Sequence, residues 1–137
     1  KNMKFKIFIL FMCLVTLQIR AQSKSYTTGK IYIEMMNTKT NQTRNTQYLG
    51  SVKSIAVYQN EDIDIEFSDK EGGSNLILLK NLPEMASSSF NYMTDVNSKT
   101  KQEFFVKNLI YERGILILLS ASFRNNETLR MQIINIQ

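Results

Sequence analysis

The chain of 137 residues has no histidine and no tryptophan, and only one cysteine and one proline. Without histidine the commonest general base is missing, and a Ser-His-Asp triad cannot be built. The single cysteine, Cys13, lies in an N-terminal apolar run. Everything after that run therefore has neither thiol nor disulfide. A thiol nucleophile and zinc sites of the Cys/His type are excluded there. We expect no enzyme, and we assign no catalytic or cofactor-binding residue.

The N-terminus has the three parts of a secretory signal peptide. Lys4 and Lys6 form a positive start, Ile7–Leu17 is an apolar run broken only by Thr16, and Gln18–Ala21 is more polar. Cleavage is expected after Ala21, which divides the chain into a leader (1–21), a flexible lead-in (22–29) and one domain (30–137). A spanning helix needs about 20 apolar residues. This run is about half as long, so no integral span is expected in the mature form. Cys13 is followed by Leu14, Val15 and Leu17 rather than ending the run, which argues against lipid attachment. The leader resembles those of exported proteins of gram-negative bacteria, which implies a periplasmic or secreted location.

The net charge of +5 suggests an anionic partner. Four of the 17 basic residues lie in the leader, however, and 13 remain against 12 acidic ones. The mature part is nearly neutral and has no basic cluster, so no nucleic-acid partner is expected.

Beyond the leader the dominant signal is period two. Ile63, Ile65 and Phe67 alternate with Asp62, Asp64, Glu66 and Ser68. Ile31, Ile33 and Met35 alternate with Tyr32, Glu34 and Met36. Weaker alternation runs through 53–58, 103–108 and 129–136. Such patterns mark strands with one buried face. Leu76–Leu79 and Ile115–Leu119 are apolar on both faces. The second is expected to be a central strand covered on both sides, where Ile117→Asp would bury an unpaired charge. Its bare apolar face could instead meet a ligand or partner.

Turn residues separate these runs: Asp69–Gly73, Asn97-Ser98, Glu112–Gly114 and Arg124–Glu127, with a longer polar loop at Asn37–Asn45. Glu84–Ser88 could form one helical turn. The expected fold is all-β, an antiparallel meander of about eight strands closed into a small barrel or folded into a sandwich. Strand count and meander order resemble calycin-type folds. The G-x-W usual near the first strand of lipocalins has no counterpart.

The best candidate for chemistry is the row Asp62, Asp64 and Glu66, with Asp69 and Glu71 beyond it. Alternate strand residues lie roughly 6.5–7 Å apart on one face. That could suit a carboxylate pair for glycoside hydrolysis, or a calcium ion. Phe67 stands where an EF-hand needs glycine, and a meander of this size has little room for a sugar cleft. The plainer reading is a solvated face whose charges discourage edge pairing. Ser98–Lys101 matches S-x-x-K in form, but it falls in an expected hairpin and lacks the partner motifs. No cofactor is expected. The function expected first is binding of an apolar small molecule or a cell-envelope component. The alternative is an interaction protein that contacts an envelope protein through a sheet edge or an apolar face.

Overall fold

The computed structural model describes residues 22–122 and 124–137. The expected signal peptide, its expected cleavage after Ala21 and Cys13 lie outside the described residues. The elements are β1 (Gln22–Tyr26), β2 (Lys30–Asn37), β3 (Thr43–Tyr58), β4 (Ile63–Asp69), β5 (Ser74–Asn81), a 3-10 turn (Pro83–Met85), β6 (Asn91–Asp95), β7 (Glu103–Leu109), α1 (Ile110–Arg113), β8 (Ile115–Ser120) and β9 (Glu127–Ile134). Each strand from β2 to β9 pairs antiparallel with the next. The pairing of β2 with β9 then closes an eight-stranded up-and-down barrel. Closure leaves no open edge among β2–β9, while β1 pairs only with β3 among the described strands.

The expected alternation decides which side chains enter the barrel. Ile63, Ile65 and Phe67 of β4, Leu116 and Leu118 of β8, and Ile31 of β2 with Ile133 of β9 all join one buried cluster. Ile31, Ile55, Ile65, Leu116 and Ile133 have no surface that a water molecule could touch. The axis is thus filled by branched side chains, each contributing roughly 1.5–3 kcal/mol by burial. One end is plugged by Ile110 of α1 and by Ile136 beyond β9, both in the same cluster. Gly114 ends α1 in the left-handed region at φ 63°, and a Cβ there would lie 2.9 Å from the Ile136 carbonyl oxygen. Only glycine allows that plug to seat.

Three expectations needed correction. Residues Gln22–Tyr26, expected as part of a flexible lead-in, form β1 and pair with Ile55–Tyr58 of β3. They are polar and mostly exposed, so no apolar period announced them. β1 also lays the Lys24 ammonium 3.6 Å from the centre of the Tyr111 ring. β3 begins at Thr43, inside the expected loop, and runs for 16 residues. Three register shifts against β2 and β4 bend it around the barrel. Gly50 pairs with Asp69 of β4, and a Cβ there would lie 2.1 Å from the Ser68 carbonyl oxygen.

The third correction concerns Ile115–Leu119, expected to be a central strand covered on both faces, and the same geometry governs Leu76–Leu79. In a closed single wall, alternate side chains must point outward. In β8, Leu116 and Leu118 are buried while Ile115, Ile117 and Leu119 are half-exposed. In β5, Leu79 is buried and Leu76 is 45% exposed. The shorter turns agree with expectation in place. The Glu84–Ser88 turn is realised as 3-10 geometry at Pro83–Met85.

Candidate functional site

β4 directs the acidic row to the outside of the barrel, because Ile63, Ile65 and Phe67 occupy the inside. Each carboxylate has its own neighbour. The backbone N–H of Asn81 donates to Asp62 Oδ1 at 2.9 Å, and Asn60 Nδ2 donates to Asp62 Oδ2 at 3.0 Å. The Tyr58 hydroxyl donates to Asp64 Oδ2 at 2.9 Å. The Ser74 hydroxyl lies 3.4 Å from Glu66 Oε1. These donors are neutral. The ion pairs among the described residues are Arg44–Glu127 and Arg130–Glu34, and neither involves β4. The three acids are therefore held apart along a strand rather than converging on one point. Among the described residues, no group of three or more Asp, Glu, His or Cys side chains is placed to hold a metal ion.

Asp69 and Glu71, beyond the row, serve the β4–β5 hairpin. Asp69 Oδ1 accepts the backbone N–H groups of Glu71 at 3.0 Å and Gly73 at 2.8 Å, and Oδ2 accepts Asn75 Nδ2 at 3.1 Å. The Asn75 side chain and the turn N–H groups hold the Asp69 carboxyl below the ordinary carboxylate range. The Ser98–Lys101 motif forms a tight turn in which the Ser98 carbonyl accepts the Lys101 N–H. Ser98 Oγ meets Thr100 Oγ1 at 2.8 Å instead of opening a helix.

A half-open groove of about 340 Å³ lies over the outer row of β4 and β5. Its walls are Tyr58, Asp62, Asp64 and Lys80, and Leu78 and Val96 supply apolar surface. Leu78 stands opposite Asp64 across the β4–β5 ladder, and Leu76 opposite Glu66. The Leu78 carbonyl accepts the Val96 N–H, and the Leu76 carbonyl accepts Asn97 Nδ2. These bonds lay the start of the β6–β7 loop beside β5. Leu76 and Val96 are 45% and 48% exposed. Alternation placed Asp62, Asp64 and Glu66 correctly on one face. It could not show that Val96, which follows the end of β6, would join them.

The outer surface of β7–β9 is different. Ile117 lies between Lys107 and Gln132, and Leu119 between Phe105 and Arg130. Tyr92 packs edge-on against Phe105 at 4.9 Å. Its hydroxyl donates to Glu103 Oε2 at 2.8 Å, which raises its pKa above the usual phenol range. Nearby, Glu34 is 7% exposed and accepts from Arg130 Nη1 and from Thr46 Oγ1, both at 3.0 Å. Nothing in the local sequence pattern signalled this pair.

Among the described residues no helix is long and apolar enough to cross a membrane. No protein-family model, curated protein or solved structure matches the chain. What the fold defines is a small closed antiparallel β-barrel, an architecture consistent with a binding domain.

Proposed function

We propose that this protein is an exported, non-enzymatic binding domain that contacts a cell-envelope protein through the outer surface of its barrel. The observation that carries this reading is where the apolar surface lies. The barrel axis is filled to the point that its central side chains touch no water, while Leu76 and Val96 stand exposed on the wall. A carrier of apolar molecules keeps an interior cavity of about 300 Å³ or more for its ligand. Here a comparable volume occurs outside, as a half-open groove. Interaction through an outer face therefore ranks above carriage of an apolar molecule inside the barrel. The absence of histidine, and of cysteine after residue 13, supports the non-enzymatic part of the reading. The leader pattern supports export to the periplasm or the medium.

Native mass spectrometry of protein purified from its own host tests the reading. A stoichiometric protein partner that is lost on Leu76→Ser/Val96→Ser substitution is the expected result. A co-purifying lipid that survives those substitutions would return the carrier reading to first place. A bare monomer after gentle extraction would sink both.

A further inference from the structure

We infer that the β4–β5 groove is a docking surface for an extended segment of a partner protein carrying Lys or Arg at alternate positions. The inference rests on the outer-face reading above and names the chemistry of the partner.

The groove, lined by Asp62, Asp64, Leu78, Lys80 and Val96, and the adjoining outer surface of Glu66 and Leu76 together offer two parallel columns. One is apolar: Leu76 and Leu78 on β5, extended by Val96. The other is acidic: Asp64 and Glu66 on β4, extended by Asp62. The columns are in register, since Glu66 faces Leu76 and Asp64 faces Leu78 across the ladder. Adjacent strands are about 4.8 Å apart, and alternate residues along each strand roughly 6.5–7 Å apart.

A lysine or arginine matches this unit in both halves. Its aliphatic stem can lie on a leucine while its charged head reaches the carboxylate one strand over. An extended chain repeats its side chains at the same roughly 6.5–7 Å interval. Alternate basic residues would therefore meet successive Leu–carboxylate units without strain. An apolar segment would leave the acidic column uncompensated. A compact cation would leave the leucines exposed to water.

Charge complementarity points the same way. Residues 61–71 hold six of the chain's 12 acidic residues and one basic residue, Lys70. Asp62, Asp64 and Glu66 have no ion-pair partner among the described residues, and Lys80 on the groove wall makes no salt bridge to them. Neutral donors nonetheless orient them: Tyr58 holds Asp64, and Asn60 with the Asn81 N–H holds Asp62. The carboxylates are thus positioned before a partner arrives, which reduces the ordering needed on binding.

The test is fluorescence anisotropy of the protein with a labelled octapeptide, Lys-Val-Lys-Thr-Lys-Val-Lys-Thr, against an isomer with its four lysines in one block. Saturable binding that weakens with salt, and favours the alternating peptide several-fold, is expected. Asp64→Asn/Glu66→Gln should weaken it by about tenfold, as loss of two rim charges implies. Leu76→Ser/Leu78→Ser, which keeps every charge, should also weaken it several-fold. Equal binding of the two peptides, or full affinity in the leucine variant, would overturn the inference in favour of simple cation attraction. So would displacement of the peptide by calcium or spermidine at equal charge concentration, or self-association of the protein through this face. If a host partner is found but binds the Asp64→Asn/Glu66→Gln variant unchanged, the outer-face reading stands and this surface is wrong. If the peptide binds as described but no envelope partner exists, the surface stands and the envelope reading falls.

Discussion

β4 and β8 belong to the same barrel wall and do the same work on the inside, yet they present opposite surfaces outside. Ile63, Ile65 and Phe67 of β4 fill the axis as Leu116 and Leu118 of β8 do. Outward, β4 shows carboxylates with neutral hydrogen-bond donors, whereas β8 shows Ile115, Ile117 and Leu119 half-buried among long neighbours. The β9 strand beside β8 also supplies Arg130, which meets the buried Glu34. One side of the barrel thus balances its charge internally and the other leaves it open. The inner face is constrained by packing, so its residue types recur. The outer face is free of that demand, and its differences report on what surrounds it.

The largest effect expected is on the shared inner face. Leu118→Asp should destabilise by about 4 kcal/mol or more, because the new charge enters a filled axis. Ile117→Asp, one residue along and pointing outward, should cost about 1 kcal/mol or less. Urea unfolding of both variants measures the gap. Similar losses would mean that β8 is covered on both faces after all.

Arg130→Met comes next. It removes the cation from a carboxylate that is 7% exposed and should cost about 3 kcal/mol. Adding Glu34→Gln to that variant should recover part of the loss. Independent, additive effects in the double-mutant cycle would show that the two charges do not depend on each other.

On the acidic side the effects shrink. Tyr58→Phe deletes the donor to Asp64 and should cost about 1 kcal/mol. Asp64→Asn should change stability by no more than about 0.5 kcal/mol, since no cation is stranded. A large loss there would reveal a structural role and weaken the contrast with Glu34.

The smallest effect is a pH dependence at the end of β4. The Asp69 carboxyl titrates lower in the folded chain than its ordinary value of 3.8. Its contribution is therefore complete above that value and disappears as pH falls through the folded one. The melting-temperature gap between the parent and Asp69→Asn should be open near pH 5 and should narrow as pH falls below the ordinary value of 3.8. A gap that stays constant over that range would show that the charge on Asp69 does not matter to the turn.

Legibility differed along the chain for physical reasons. β4 could be read almost completely, because one buried face and one wet face write themselves as strict alternation. β1 and the first half of β3 could not, because residues such as Gln22–Tyr26 and Thr43–Gln47 bury little and pair mainly through backbone groups. The acidic column of the groove was visible in the row Asp62, Asp64 and Glu66. Its apolar column was hidden, since Leu76 and Leu78 looked like core and Val96 like loop.

By itself, then, the sequence determined the period-two pattern, the residues that turn inward where polar and apolar types alternate, and the lack of histidine and of cysteine beyond residue 13. These are local properties, set by side-chain type and by the geometry of an extended chain. The tertiary structure alone decided that β2 would close on β9 and bring Arg130 to Glu34 across 96 positions. It also decided that closure would turn Leu76, Ile117 and Leu119 outward. A wall one strand thick, joined to itself, must give every alternate side chain to the outside, whatever its chemistry.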